Sequence, residues 1–245
     1  MASETVFFSA DLAHPVCNFV LGSEQRRTAH ARQFIGVFGD KIIDVDRCEI
    51  VRERERLPRM LRAMVELRHK HVVWSFAWLQ VGRELQIVSQ HHEPLDRFTA
   101  PRRSLHHIVS GLAYLHAQDI VHCRLSLDNL VVDDTHRVLI RGCGVACVRE
   151  SLAPGLVAKD RGTFFCAASP LWTDKSLDVY SLGVVALCLW KLTVPIPCDN
   201  ARAQACGNTC MERMIRSCIS TDPGERPKMD EILADFKAQP AEFMV

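Results

Sequence analysis

The chain has 245 residues, 48% hydrophobic and 24% charged, enough apolar material to build a sizeable core in one large domain or two modest ones. Its 30 basic and 29 acidic residues leave a formal charge of +1, which gives no ground for bulk binding to nucleic acid or to an anionic membrane surface. No apolar run is long enough to span a bilayer, Met1 to Glu4 lacks the basic start of a secretory signal, and the eleven cysteines then read as free thiols in a reducing, cytoplasmic setting.

Residues 30–50 read as short strands, with Phe34, Ile35, Val37, Ile42, Ile43 and Val45 at their apolar positions. A charged run from Arg52 to Arg56 leads into Leu57, Met60, Leu61, Met64 and Leu67, which recur at helical spacing, with Pro58 suited to a first turn. Residues 71–89 predict two strands around a turn at Val81, Gly82 and Arg83. Beyond residue 94 the period becomes helical, and Leu105, Ile108, Val109, Leu112 and Leu115 make one stripe. Residues 179–192 are apolar nearly all round, the pattern of a helix buried on every side. Met211, Met214, Ile215, Cys218 and Ile219 make a further stripe. Strands first and helices afterwards predict an α+β fold, with a small strand-rich lobe and a larger helical one.

Two cysteine pairs, Cys143 with Cys147 and Cys206 with Cys210, are spaced to share a helix face. The chain has no Cys-x-x-Cys pair and no histidine at ligand spacing from either set, so buried structural thiols and no metal site are expected.

A longer constellation carries more. The segment from Gly111 through His122, Cys123, Arg124 and Leu125 to Asn129 resembles the helix and catalytic loop of protein kinases, whose pattern there is His-Arg-Asp-Leu-Lys-x-x-Asn. Further blocks follow in the same order and at similar spacing. Gly142-Cys143-Gly144 stands where Asp-Phe-Gly belongs, and Gly162 to Pro170 matches the end of an activation segment. Asp178 to Gly183 matches the start of the buried central helix, and Asp222 to Pro227 the last helical motif. Upstream, Lys41 to Asp44 resembles the third-strand lysine motif, and Leu67 to Val73 the end of helix C and the next strand. The resemblance covers about residues 20–237 and implies one kinase-like, bilobal α+β domain over 1–245, with an N-lobe at about 15–90, a hinge at 91–93 and a C-lobe at 94–240.

The departures from the family pattern shape the functional expectation. Phosphoryl transfer needs positioning, metal ions and a base near the acceptor hydroxyl. Arg124 stands at the base position, and a guanidinium stays protonated and has no acceptor. Gly142 stands at the main metal-ligand position with no side chain, and Ser126 replaces the loop lysine. Asn129 remains of the expected metal ligands.

The resemblance assigns Lys41 to the phosphate-binding lysine, with Phe38 as the alternative occupant of that slot. Its helix C partner is missing if Met60 is in register, or is Glu55 or Glu66 if the register slips. Gly22 to Arg27 would form the phosphate-covering turn, with Glu24 and Arg27 in place of glycines. Pro170 replaces the glutamate that usually pairs with the arginine at Arg226, and Ser89 falls at the gatekeeper position.

The expectation is therefore a pseudokinase, not an enzyme, serving as a scaffold or allosteric module for other proteins, an active kinase or a large assembly among them. The alternatives are a nucleotide sensor holding ATP weakly without metal, through Lys41, Ser89, Arg124 and Asn129, and an atypical active kinase. No cofactor beyond that weak ATP, no nucleic acid and no membrane is expected. The Arg-rich entry to helix C (Arg52, Arg54, Arg56, Arg59 and Arg62) and the segment 145–170 are the candidate partner surfaces.

Overall fold

A computed structural model describes residues 4–8, 19–27, 32–49, 64–81, 83–96, 104–143, 175–191 and 209–238. The chain divides into two compact units, one formed by the described residues up to His92 and the other by those from Glu93 onward.

The first unit is a six-stranded antiparallel sheet built from β1 (Glu4–Phe8), β2 (Val20–Arg27), β3 (Arg32–Phe38), β4 (Lys41–Glu49), β5 (Ser75–Val81) and β6 (Glu84–Gln90), in the order β1-β5-β6-β4-β3-β2. Alternation along the strands puts Phe34, Ile43, Val45, Phe76, Ala77 and Val88 into one buried cluster, against which Phe19, Leu21, Phe38, Trp74 and Leu79 pack. β3 and β4 are joined tightly, with Phe38 opposite Lys41 and Gly39 in the left-handed region at φ +62°.

Residues 22–27 are strand here, not a turn. Glu24 pairs with Phe34 and Arg27 with Arg32, through register shifts between Leu21 and Glu24 and between Glu24 and Arg26. A side chain at Gly22 would come within 2.7 Å of the Ile35 carbonyl oxygen, so the glycine there serves close strand approach. The helix expected over 57–67 is described only at its end, where Met64 and Val65 are helical and buried. Met60, Glu55 and the five arginines of its entry lie outside the described residues.

The second unit holds a small antiparallel sheet, β7 (Glu93–Pro94), β8 (Leu130–Val132) and β9 (Val138–Ile140), and four described helices: α1 (Ser104–Ala117), α2 (Ser176–Lys191), α3 (Cys210–Cys218) and α4 (Met229–Ala238). The stripe from Leu105 to Leu115 is buried along α1, each such side chain contributing about 1.5–3 kcal/mol over its exposed state. α2 is apolar nearly all round because both its faces are covered: Val179, Leu182, Val185, Ala186 and Leu187 are all buried. Where α2 meets α3 no side chain fits, since a Cβ on Gly183 would lie 2.6 Å from Ile219 Cγ2. α3 starts at a capping box, with Thr209 Oγ1 accepting from Glu212 N at 3.2 Å and Glu212 Oε2 accepting from Thr209 N at 3.2 Å. The architecture is α+β, a strand-rich first unit and a helix-rich second one, as the period change at residue 94 predicts.

Candidate functional site

In the second unit the site is organised by one carboxylate. Asp178 lies in the first turn of α2 and is fully buried, a position where the helix dipole favours negative charge. Its Oδ2 accepts the His122 backbone N–H at 2.7 Å and lies 2.9 Å from His116 Nε2, while its Oδ1 accepts the Cys123 N–H at 2.8 Å. A buried charge survives only when hydrogen-bonded in this way. Cys123 is held at φ +62°, a conformation that a non-glycine residue adopts at a cost, and the Asp178 contacts fix it.

His122 carries the order onward. The Arg124 N–H donates to its Nδ1 at 3.1 Å, so the ring is neutral there and its Nε2–H donates to the Arg141 carbonyl at 2.9 Å. Complete burial pushes the His122 pKa below its usual value, with the Asp178 charge acting the other way. Asn129 Nδ2 donates to the Arg124 carbonyl at 2.7 Å and ties the far end of the loop. The backbone N–H of Arg141 donates to the Asn129 carbonyl at 2.9 Å, which sets Gly142 beside Asn129. Gly142 has φ +77°, and a Cβ there would lie 3.6 Å from Asn129 Oδ1, an ordinary contact.

The structure thus brings Arg124, Asn129 and Gly142 together. Ser126 is buried at the start of the short 3-10 turn Leu127–Asn129. Arg226, whose expected glutamate partner is replaced, finds carbonyls instead. Its Nη1 donates to Ser176 O at 2.9 Å and its Nε to Ser220 O at 3.0 Å, while the guanidinium lies 4.9 Å from the centre of the Tyr180 ring. Pro170 and the rest of 145–170 lie outside the described residues.

Lys41 and Ser89 belong to the first unit. Lys41 is exposed at the start of β4, next to the β3–β4 turn. Ser89 is buried on β6, and the residue opposite it on β4 is Asp44. Asp44 is itself buried, with Oδ1 2.8 Å from His91 Nδ1. Neither this Asp44–His91 pair nor the bond from His116 to Asp178 was legible in the sequence, because both join residues remote along the chain: 47 positions apart in the first case and 62 in the second.

Magnesium-bound ATP would need carboxylate oxygens beside this loop. Gly142 supplies no oxygen ligand from a side chain, Asn129 supplies one amide oxygen, and Asp178 is engaged by three N–H groups. Among the described residues no group of three His, Cys, Asp or Glu side chains could hold a metal ion. The described loop does not fit a magnesium–nucleotide complex, and a metal bound there would take its carboxylates from elsewhere. Among the same residues, no helix is long and apolar enough to cross a membrane.

The family described as Protein kinase domain matches residues 40–236. The chain is 25% identical over 270 residues to the serine/threonine/tyrosine-protein kinase HT1 of Arabidopsis thaliana, covering 93% of this chain and 67% of that protein. It is 25% identical over 236 residues to the serine/threonine-protein kinase PLK2 of Mus musculus, covering 83% of this chain and 34% of that protein. It is 27% identical over 142 residues to the dual serine/threonine and tyrosine protein kinase of Danio rerio, covering 49% of this chain and 16% of that protein. The chain therefore spans about two thirds of the first relative, a third of the second and a sixth of the third.

These matches overturn one expectation. The reading that the chain is not an enzyme rested on Arg124 and Gly142, whereas the family match and the kinase relatives point to a protein kinase enzyme. The physical reason is plain: a guanidinium at one position and a bare backbone at another remove one base and one ligand, and they do not decide what other groups supply.

Proposed function

The chain belongs to the protein kinase domain family, and from that premise we propose that it acts as a scaffold or allosteric module for other proteins. The observation that supports this reading is the contrast within one loop. Asp178 holds the loop through its contacts with His122, Cys123 and His116, and that loop carries the half-buried cation Arg124. Arginine offers a fixed fork of donors, suited to carboxylates on a partner protein. Any phosphoryl transfer by this domain draws its base from a position other than 124 and its metal carboxylate from a position other than 142.

Affinity capture from the native cell, with mass spectrometry, tests the proposal. A stoichiometric protein partner retained by the wild-type chain and lost with Arg124→Glu is expected. A chain that captures nothing above background, or a partner held equally well by Arg124→Glu and by an Asp178→Ala chain with a disrupted loop, would overturn it.

A further inference from the structure

We propose that Arg32, Arg47 and Gln86 form a docking point for a phosphorylated serine or threonine of a partner protein, a place that Glu84 fills loosely in the chain alone. The inference goes beyond the scaffold reading and does not rest on it.

Strand register puts the three side chains in one row. Arg32 of β3 is directly opposite Arg47 of β4, and Arg47 is directly opposite Gln86 of β6. Directly opposite residues share a face. Alternation places this row on the side of Phe34, Ile43 and Val45, the reverse of the side that carries Asp44 and Ser89. The Phe34 ring is its platform: the guanidinium carbons of Arg32 and Arg47 lie 5.6 and 5.2 Å from the ring centre. Cation–π contact at that range holds both cations in position before a ligand arrives.

Glu84 matches the two cations poorly. Its Oε2 is 3.5 Å from Arg32 Nη2 and its Oε1 is 3.5 Å from Arg47 Nε, against roughly 2.7–2.9 Å for a charge-assisted hydrogen bond. The Arg47 Nε is buried and makes no hydrogen bond. The short bond to this carboxylate comes from a neutral amide, with Gln86 Nε2 donating to Glu84 Oε1 at 2.9 Å. Two guanidiniums around one carboxylate leave one positive charge uncompensated. A phosphate monoester carries about −1.5 to −2 at neutral pH and three strong acceptor oxygens. In the place of Glu84 it accepts from both guanidiniums and from Gln86 together. The side chains of Arg32, Arg47 and Glu84 are 43%, 25% and 33% exposed, so a partner can reach the row and Glu84 has room to turn outward. A nucleic acid or a membrane presents many phosphates and calls for a broad field of cations, whereas this row holds two.

NMR of the purified chain, following the Nε–H resonances of Arg32 and Arg47, tests the proposal. The probes are a short glycine–alanine peptide with one phosphoserine, the same peptide with plain serine, inorganic phosphate, and vesicles containing a phosphoinositide. The phosphopeptide should shift both resonances saturably at millimolar concentration, and the serine peptide and the vesicles should leave them in place. Inorganic phosphate, which lacks the peptide's contacts, should bind more weakly. Arg32→Gln and Arg47→Gln should each weaken the phosphopeptide about tenfold. Glu84→Gln removes the competing carboxylate and should tighten it about fivefold. Lys237→Gln, at an exposed position of α4, should change nothing. The inference is overturned if the phosphopeptide moves neither resonance, if Glu84→Gln weakens it, or if the serine peptide or the vesicles bind as well. Equal binding of inorganic phosphate overturns it too, since the row is then an adventitious ion site only. Such a failure leaves the partner-capture test untouched, because that test turns on Arg124 in the second unit.

Discussion

Replacing Asp178 with alanine should cost this domain more stability than a change of its size elsewhere. The carboxylate is fully buried and meets three donors: His122 N at 2.7 Å, Cys123 N at 2.8 Å and His116 Nε2 at 2.9 Å. Alanine strands two backbone N–H groups in a dry interior, and each unsatisfied buried donor costs about 1–3 kcal/mol. The strained backbone at Cys123, φ +62°, also loses what holds it. The expected loss is about 3–5 kcal/mol, which lowers Tm by roughly 10 °C in a chain of this size. Asp178→Asn keeps one carbonyl acceptor and should lose about 1–3 kcal/mol. Thermal unfolding by circular dichroism gives the size of the effect, and amide hydrogen exchange gives its place, with the His122 and Cys123 amides protected in the wild type and exchanging fast in the alanine variant. A Tm within 2 °C of wild type, or unchanged protection at those two amides, would refute the reasoning.

Other consequences are independent of that carboxylate. Gly183→Ala puts a methyl 2.6 Å from Ile219 Cγ2 and 2.8 Å from Cys218 Cβ, so α2 and α3 must separate, and urea unfolding should show a loss of about 1–3 kcal/mol. Asp133 is held down to about 2: partial burial opposes this, but hydrogen bonds from Arg137 and Thr135 prevail. Since its folded value is depressed, its contribution is complete above the usual 3.8 and fades as pH falls from there towards 2. Solvent screening limits that contribution to about 1 kcal/mol, and Asp133→Asn should flatten the wild-type loss of stability over this range in acid titrations followed by circular dichroism. Burial pushes the Cys218 thiol up to about 12, so with Ellman's reagent at pH 8 it should react only on unfolding, while the half-buried Cys143 and Cys210 react before it.

The fold was legible where periodicity is decisive. The α1 stripe from Leu105 to Leu115 carries the helical period, the all-apolar α2 is too long for a strand, and the β5–β6 pair is marked by apolar runs on either side of residues 81–83, and the structure forms each of them. Residues 22–27 misled because the kinase resemblance places a phosphate-covering turn there, with Glu24 and Arg27 in place of its glycines, whereas pairing to β3 makes the segment strand. At the site, the resemblance to the kinase catalytic loop singled out Arg124, Asn129 and Gly142, and the structure shows that the loop and the adjacent hairpin bring them near one another. The partners of Arg226 were not legible, because they are backbone carbonyls of Ser176 and Ser220, and any residue type carries those. The relation of Asp44 to Ser89 depends on strand register, which a one-residue slip would invert.

The most direct test of the scaffold reading is to rebuild the captured complex from purified parts in buffer freed of nucleotide and divalent metal, and to follow the partner's own activity or assembly as this chain is added. The account predicts a saturable change that needs neither ATP nor magnesium and disappears with Arg124→Glu. A change that arises only with both present, and that grows in step with phosphate incorporated into the partner, would contradict it.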